Sequence, residues 1–469
     1  MLPILNKDKF LNFSLYNLLL GLILYGLSFE TNTDDWIFHQ FYCVSGLIIY
    51  IDLYLKMKKI DNNLYIYLSD IRYVFIISYL ISYVFGSSIL VFGTEVQITT
   101  KMDEYVMDAG EAVYVDFLNS IGLGLAIGVC SLYKPQNLNK IINSLCQSSL
   151  RVNINFFIYF SLIFGFLTQV YIFYFDISAI DQVLSGSIRQ LKYLVYVGIL
   201  VGILNTNKSS TLHKIIIAVT ILSSLLGIIN FNKGDFILPT VIFLTSLSIK
   251  NNSKRLFLVA IMMIFVMLTA VGGATLYARA SVYGINPNSF SDRLSLIIDG
   301  VSIANNVNDY EKYNSWGRFT LINAQASSVK LYDTGDGGDD AEKFLWVAVP
   351  RIIYPNKPVL SQSGGDLYTK MTGNIGSSTA QGVFINGYYN NGFIGLLLYS
   401  IICGLIISQL TSISSIIVRK KAYAVYPIML FCILIGSNTA GVLLTDYIGL
   451  FITLITTIFI FYFISKIHL

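Results

Sequence analysis

The sequence predicts an all-α protein that crosses a membrane many times. Of its 469 residues, 55% are apolar and only 12% are charged, whereas a soluble globular protein carries about 25% charged residues. Its mean hydropathy is +0.65, and apolar runs of about 20 residues, long enough to cross a bilayer as helices, recur along the chain. The net charge of +4 is too small and too scattered for a nucleic-acid-binding surface, so we expect no nucleic-acid partner.

The apolar runs predict about twelve transmembrane helices. The first run follows Lys7 and Lys9 and has no small-residue cleavage site after it, so we interpret it as a retained helix rather than a signal peptide. The sixth and eighth runs are short, which makes their boundaries the least defined. The predicted spans are residues 10–29, 37–55, 72–93, 113–132, 154–174, 190–205, 212–231, 235–250, 256–276, 392–410, 423–440 and 446–465.

The loop charges predict the orientation. If the N-terminus is cytoplasmic, every loop on the inside is basic and together these loops hold most of the 31 Lys and Arg residues. The short loops on the outside are neutral or acidic, as the positive-inside rule requires. Both termini are therefore predicted to be cytoplasmic, and the connections between residues 276 and 392 to lie outside. This gives three parts: spans one to nine (1–276), a large external loop (277–391) and spans ten to twelve (392–469).

The external loop is expected to carry the function, because long loops are usually either functional or structured. Its apolar-periodic pieces, residues 294–304, 316–331 and 341–353, predict two or three short helices that lie partly in the membrane interface. The loop also contains four arginines, which present planar, permanently charged groups suited to phosphate oxygens. These are Arg279, Arg293, Arg318 and Arg351.

A proline-rich stretch follows one of these arginines. Three of the chain's eight prolines fall between Pro350 and Pro358, and proline excludes regular helix and strand. We interpret this stretch as a stiff strut that holds Arg351 and Lys357 as a clamp for an anion. The alternative is that the loop arginines only anchor interfacial helices or pair with nearby acids.

Other polar residues complete the candidate set. Asp116 lies inside the fourth span, and an acidic side chain within a membrane segment is a functional candidate by default; the alternative is a hydrogen bond that packs helices together. Arg189 and Lys192 form a second external patch with nearby acids. Lys233-Gly234-Asp235, at the outer turn into span eight, is a similar weak candidate, and His39 lies near the outer end of span two. The acidic run from Asp333 to Asp340 lacks the ligand order of a calcium-binding loop, so we interpret it as a flexible turn. No metal site and no cofactor is predicted.

Three pieces of the sequence form recognisable motifs. The first is the arginine that opens an amphipathic segment, Trp316-Gly317-Arg318. The second is the Pro-Arg-x-x-aromatic-Pro-x-Lys-Pro block of residues 350–358, with Tyr354 in the aromatic position. The third is the glycine-rich return to the membrane at residues 377–395, which contains Asn386 and Tyr388. Together they resemble the Wzy-type oligosaccharide repeat-unit polymerases of O-antigen and capsule synthesis. The sequence departs from the family at Tyr388, where members often have Glu.

The resemblance implies a GT-C-like membrane glycosyltransferase in the bacterial cytoplasmic membrane. Its substrates would be oligosaccharide repeats linked to undecaprenyl pyrophosphate, with a chain-length-regulating co-polymerase as partner and membrane lipids around it. Repeats would be polymerised at the outer face of the membrane. Catalytic roles would fall to Arg279, Arg318, Arg351 and Asp116. Binding of pyrophosphate or glycan would fall to Arg293, Lys357, Arg189, Tyr354, Tyr388 and Asn386.

Two other functions are compatible with the sequence. A lipid-oligosaccharide flippase or transporter also has about twelve spans, but such proteins usually show related halves, and here the halves are unequal. An O-antigen-ligase-like transferase would use the same arginines with a different acceptor. A structural membrane protein, in which the arginines have no catalytic role, is the remaining possibility.

Overall fold

All regular secondary structure among the described residues of the computed structural model is helical. The described residues are 7–31, 36–58, 70–95, 97–98, 105–133, 135, 137–148, 154–174, 191–207, 210–230, 233–251, 253, 255–256, 259, 262–263, 290–303, 320–338, 346, 349, 354, 363–373, 379–420, 422, 425–438, 447–452, 454–455 and 458–459.

We number the helices in chain order. The third apolar run contains an α-helix, a π-helical segment at Leu80–Phe85 and a short second α-helix. The helices of the N-terminal part are α1 (Lys7–Thr31), α2 (Ile37–Lys58), α3 (Ile71–Tyr79), α4 (Ile89–Phe92), α5 (Ala109–Leu132), α6 (Asn137–Ser148) and α7 (Ile154–Tyr174). The later helices are α8 (Leu194–Asn205), α9 (Thr211–Ile229), α10 (Lys233–Asn251), α11 (Phe290–Ile303), α12 (Ile322–Asp333), α13 (Ser363–Thr372), α14 (Gly382–Lys420) and α15 (Tyr426–Ser437).

Seven stretches of described helix are long and apolar enough to cross a membrane. They coincide with predicted spans one to five, seven and ten: Lys7–Phe29, Ile37–Met57, Ile71–Phe92, Ala109–Leu132, Ile154–Ile172, Thr211–Ile229 and Gly382–Lys420. Two shorter apolar helices, α8 and α15, coincide with spans six and eleven. The chain is therefore an α-helical membrane protein by helix length and composition, and the count of twelve spans stays a prediction.

The chain divides into two compact units. The first contains Met1–Leu145, Trp316–Lys420 and Ile428–Leu469, and the second contains Cys146–Ser315 and Lys421–Pro427. This division follows contacts within the fold, whereas the three-part division expected from the sequence follows membrane topology. The first unit thus combines N-terminal helices with part of the predicted external loop.

Helix α5 is the centre of the first unit. Its first turn is closed by a capping box, in which the Asp108 carboxylate accepts from the Glu111 N–H at 2.7 Å and the Glu111 side chain accepts from the Asp108 N–H. Its packing partners α1 and α14 lie on either side. Ser14 and Asn17 of α1 donate hydrogen bonds to α5 backbone carbonyls, a form of contact that joins membrane helices where small residues let them approach.

Helix α14 consists of two arms that fold back on each other. Asn391 and Gly392 have non-helical backbone angles, and Gly392 has a φ of +59° that favours glycine. A Cβ on Gly387 would lie 2.6 Å from the Gly395 carbonyl oxygen, although eight residues of straight helix would separate these residues by about 12 Å. We call residues 382–390 the entry arm and residues 393–420 the spanning arm.

The described helices of the predicted loop differ from the expected interfacial helices. Helix α11 coincides with the first predicted piece and α12 with the second, while α13 was not expected. The first eight residues of α12, from Ile322 to Val329, are all buried. This part of the piece is thus packed inside the first unit, and its position relative to the membrane interface stays a prediction. Of the third predicted piece, only Trp346 and Val349 are described.

Candidate functional site

The π-helical segment places two backbone carbonyls inside the first unit. The carbonyls of Gly86 and Ser87 each accept a backbone bond three residues along the chain. Each also accepts a second hydrogen bond, from the Thr320 hydroxyl and from the His39 ring respectively. Such π-helical insertions are frequent at functional sites because they expose polar backbone groups inside a helix bundle.

Asp116 forms an enclosed pair with His39. Its Oδ2 atom lies 2.6 Å from His39 Nδ1, and both side chains are almost completely buried. His39 Nε2 lies 3.2 Å from the Ser87 carbonyl oxygen, which can only accept, so Nε2 carries a proton. One further proton is then shared between Nδ1 and the carboxylate.

This arrangement limits the ability of His39 and Asp116 to accept a proton from a substrate. Neither ring nitrogen of His39 is open as a proton acceptor, and Asp116 is occupied by the ring. The geometry thus favours the helix-packing interpretation of Asp116 over its predicted catalytic role. The contact also links Asp116 in span four to His39 near the outer end of span two.

A chain of side-chain amides links α5 to α12 and α14. The Asn119 amide donates to the Gln325 side-chain oxygen at 3.1 Å, and the Gln325 amide donates to the Gln381 carbonyl at 3.0 Å. All three side chains are buried. Gln381 immediately precedes α14, whose first residue, Gly382, lies against the Tyr83 hydroxyl.

These contacts show how far α12 and the entry arm extend along α5. Asn119 is ten residues, or about 15 Å, from the start of α5. Because Gln325 bonds to Asn119, the N-terminal part of α12 lies well inside the length of α5. Phe384 packs against Gly122 of α5, so the entry arm begins at a similar depth. Both α12 and the entry arm therefore run from the interior of the unit toward the N-terminal end of α5.

At that end, α5, α12 and the entry arm bring four side chains together, which we call the tyrosine–aspartate cluster: Tyr114, Tyr332, Asp333 and Tyr388. The Tyr388 hydroxyl donates to Asp333 Oδ1 at 3.0 Å and lies 3.2 Å from the Tyr114 hydroxyl. The Tyr388 ring meets the Tyr332 and Tyr114 rings edge to face, with centroids 5.3 and 6.2 Å apart. The Asp333 side chain is exposed, whereas Tyr388 is buried.

The end of α12 is fixed by a Schellman motif. The Asp336 N–H donates to the Leu331 carbonyl at 2.8 Å and the Gly335 N–H donates to the Tyr332 carbonyl at 3.0 Å. Gly335 has a φ of +90°, the left-handed conformation that this motif requires. The first part of the acidic run is consequently an ordered helix cap, which corrects the expectation of a flexible turn for Asp333 to Gly338.

A basic and aromatic group lies beside the cluster. Lys330 Nζ is 3.6 Å from Glu111 and 5.8 Å from the centre of the Tyr105 ring. Burial and then the Glu111 carboxylate raise the pKa of Tyr105, while the Tyr105 hydroxyl and then Glu111 raise the pKa of Lys330. Lys330 therefore stays a cation, and it is largely exposed at this end of the unit.

The structure describes some of the predicted site residues and not others. Tyr388 belongs to the tyrosine–aspartate cluster, while Asn386 is buried in the entry arm and its backbone carbonyl accepts from Asn390. Tyr354 is exposed and stacks on Trp346 with ring centroids 4.9 Å apart. Arg293 lies half-buried on α11 in the second unit. The remaining predicted residues lie outside the described residues: Arg279, Arg318, Arg351, Lys357 and Arg189.

In the second unit, two separate sequence candidates form one pair. Lys192 Nζ lies 2.8 Å from both carboxylate oxygens of Asp235, and both side chains are mostly buried. The Tyr196 hydroxyl also donates to Asp235. The sequence placed Lys192 in one weak external patch and Asp235 in another. Their close bidentate contact indicates a link between α8 and α10.

The sequence reasoning missed Asp333, Tyr114 and the two buried glutamines. The signal for the helix end at Asp333 was Gly335, which lies four residues after the apolar-periodic segment 316–331, since a glycine shortly after such a segment is typical of a helix end. Gln325 carries no such signal, because a polar residue in a short helix normally faces water. In the described part of the chain, no group of three or more His, Cys, Asp or Glu side chains is placed to hold a metal ion.

Comparison of this chain with protein-family models, with curated proteins and with solved structures finds no match.

Proposed function

We propose that this protein polymerises oligosaccharide repeats linked to undecaprenyl pyrophosphate at the outer face of a bacterial cytoplasmic membrane. In the proposed reaction, a hydroxyl oxygen of the incoming repeat attacks the anomeric carbon of the growing chain. The bond between that carbon and the pyrophosphate oxygen breaks, and the lipid pyrophosphate leaves as an anion. The hydroxyl proton must be taken up by a base.

The observation that carries this proposal is the tyrosine–aspartate cluster at the N-terminal end of α5. Under the predicted topology this end faces outward, where the lipid-linked repeats would be. Three tyrosine rings combine apolar surface with polar tips, and Asp333 supplies an exposed carboxylate beside them. Carboxylates next to a sugar are the usual agents of proton transfer in glycosyl chemistry.

The leaving group requires positive charge, because negative charge develops on the pyrophosphate as the bond breaks. Lys330 is one described cation at this end of the unit. The loop arginines Arg279, Arg318 and Arg351 are the further proposed cations, with Arg293, Lys357 and Arg189 behind them. The membrane lipids, the polyprenyl carrier and a chain-length-regulating co-polymerase are the proposed partners.

One observation favours a second candidate, a lipid-oligosaccharide transporter. Helix α14 is broken at Asn391 and Gly392, and α12 is a half-length helix that runs beside α5. Broken helices whose half-helix ends lie at mid-membrane depth are a recurrent feature of transporters. The transferase is favoured because the carboxylate of Asp333 lies at the exposed end of α12 and not at its buried beginning.

A gene deletion separates these candidates. The gene is deleted in its bacterial host, and the lipid-linked glycans are extracted and sized. Accumulation of single repeats that are accessible from outside the cell supports the polymerase. Single repeats confined to the inner leaflet support the transporter, and full-length polymer retained on the lipid supports a ligase.

The arginine hypothesis has its own test. Arg351→Ala is introduced into the deletion strain on a plasmid, with membrane abundance matched to the wild type by immunoblot. If Arg351 stabilises the leaving pyrophosphate, the mean chain length falls and single repeats accumulate. The matched control is Arg419→Ala, at the predicted cytoplasmic end of α14, which should leave chain length unchanged. Normal chain lengths for Arg351→Ala would exclude the clamp.

A further inference from the structure

Three carboxylates near the N-terminal end of α5, those of Asp108, Glu111 and Asp333, make different contacts. Asp108 caps α5, and Glu111 both closes the capping box and pairs with Lys330. Asp333 accepts a hydrogen bond from the Tyr388 hydroxyl, and no ion pair to it occurs among the described residues. Of these three carboxylates, Asp333 is therefore the one that is exposed and held in position without being neutralised by a described cation.

The position of Asp333 in its helix is electrostatically unfavourable. It is the last residue of α12, where the helix dipole presents its negative end and disfavours acidic side chains. A residue that served only to end the helix would be better as Asn or Lys, and the Schellman motif at Gly335 already provides the end. An acid at this position costs helix stability, and such costs are expected where activity requires the group.

The hydrogen-bond order in the cluster leaves part of this carboxylate open. An ionised carboxylate can only accept, so the single hydroxyl proton of Tyr388 points to Asp333 Oδ1. Tyr114 must then donate its own proton to the Tyr388 oxygen at 3.2 Å. Both tyrosines are thus oriented toward Asp333, whose Oδ2 atom has no hydrogen-bond partner from the described residues.

We propose that Asp333 is the general base that takes the proton of the acceptor sugar hydroxyl, and that Tyr388 and Tyr114 are positioning residues for its carboxylate. This inference rests on the proposed function and adds its missing base. The hydroxyl proton passes to Asp333 Oδ2 as the sugar oxygen forms its bond to the anomeric carbon. The electron pair of the breaking carbon–oxygen bond leaves with the pyrophosphate.

The groups that surround Asp333 favour this role. The described titratable side chains on the helices packed here include Tyr114 and Glu111 on α5, Tyr332 and Lys330 on α12, Lys370 on α13, Tyr388 and Tyr389 on the entry arm, and Asp336 in the cap. Glu111 is paired with Lys330, and the Lys370 ammonium donates to the Asp336 backbone carbonyl. Neither Lys330 nor Lys370 forms a described ion pair with Asp333.

The test uses the full-length protein in lipid nanodiscs and lipid-linked single repeats extracted from the deletion strain. The variants are Asp333→Asn and, as a matched control three residues away in the same cap, Asp336→Asn. Loss of a general base costs about 10²-fold or more in rate, so Asp333→Asn should slow polymerisation by that factor with little change in KM. Asp336→Asn should retain the wild-type rate.

The split between kcat and KM separates a base from a structural residue. Asp333→Asn should lower kcat with little change in KM. Tyr388→Phe should lower kcat by a smaller factor, because the carboxylate remains but loses the hydroxyl that positions it. Asp333→Asn should melt at the wild-type temperature or above, since it removes a charge that opposes the helix dipole.

The outcomes are distinguishable. A wild-type protein that makes no polymer from these lipid-linked repeats contradicts the proposed function. A wild-type protein that polymerises while Asp333→Asn does so within threefold contradicts the assignment of Asp333 and leaves the function standing. If Asp333→Asn fails to fold, Tyr388→Phe decides, because an unchanged kcat in that variant would also overturn the proposal.

Discussion

Asp116 and Asp333 both lie in the first unit, and each receives a close hydrogen bond from a ring-bearing side chain. Asp116 is buried and shares a proton with His39, whose other nitrogen is occupied by a backbone carbonyl. Asp333 is exposed and receives a hydroxyl proton from Tyr388. Burial of a carboxylate in a membrane segment can therefore reflect helix packing, while the carboxylate that we propose as the base lies at the end of a helix.

The largest stability effect is expected at the enclosed pair. Asp116→Ala leaves the His39 ring buried without its partner, and removal of one member of a buried pair costs about 3–5 kcal/mol. Unfolding of the full chain in detergent, followed by circular dichroism, measures the change. The matched control is Asp52→Ala, which removes the half-exposed partner of Lys56 and should cost about 1 kcal/mol or less. Equal effects of the two variants would refute the distinction.

The next effect concerns the beginning of the entry arm. Gly382 has a φ of +74°, and a Cβ there would overlap the Tyr83 hydroxyl. We expect Gly382→Ala to destabilise the protein by about 2–4 kcal/mol, from backbone strain and overpacking together. Gly373 has a similar φ of +73° with nothing within 4 Å of its Cβ position, so Gly373→Ala should show only the strain, about 1–2 kcal/mol. Thermal melting of both variants separates the two costs.

The smallest stability effect is expected at the cluster. Tyr388→Phe removes one hydroxyl and its hydrogen bond to an exposed acid, which costs about 0.5–1.5 kcal/mol. Its effect on the polymerisation rate should be larger than this value suggests, because the hydroxyl orients Asp333. A variant as active as the wild type but strongly destabilised would show that Tyr388 serves packing alone.

The sequence predicts the helical elements well where hydrophobicity alone decides them. The apolar runs near residues 10–29 and 113–132 predict α1 and α5 because every residue along a membrane helix can face lipid or another helix. The same criterion fails for α12, whose buried residues include Asn323, Gln325 and Ser328. A polar helix is buried only if other parts of the chain supply hydrogen-bond partners, and Asn119 and Gln381 are far from it in sequence.

The site is predictable only in part for a related reason. The glycine-rich return to the membrane indicates residues 377–395, because glycines permit both the turn at Gly392 and the close approach of Gly387 to Gly395. Asp116 is conspicuous as an acid in an apolar run, but sequence does not reveal that His39 occupies it. Asp333 lies in an acidic run that indicates a surface turn, and only the contact with Tyr388 distinguishes it from Asp336.

The most direct test of the central claim is the polymerisation rate of Asp333→Asn beside Asp336→Asn, measured in nanodiscs with extracted lipid-linked single repeats. We expect Asp333→Asn to be slower by about 10²-fold or more, with little change in KM and a melting temperature no lower than that of the wild type, while Asp336→Asn polymerises normally. Wild-type polymerisation together with an Asp333→Asn rate within threefold of it would contradict the claim.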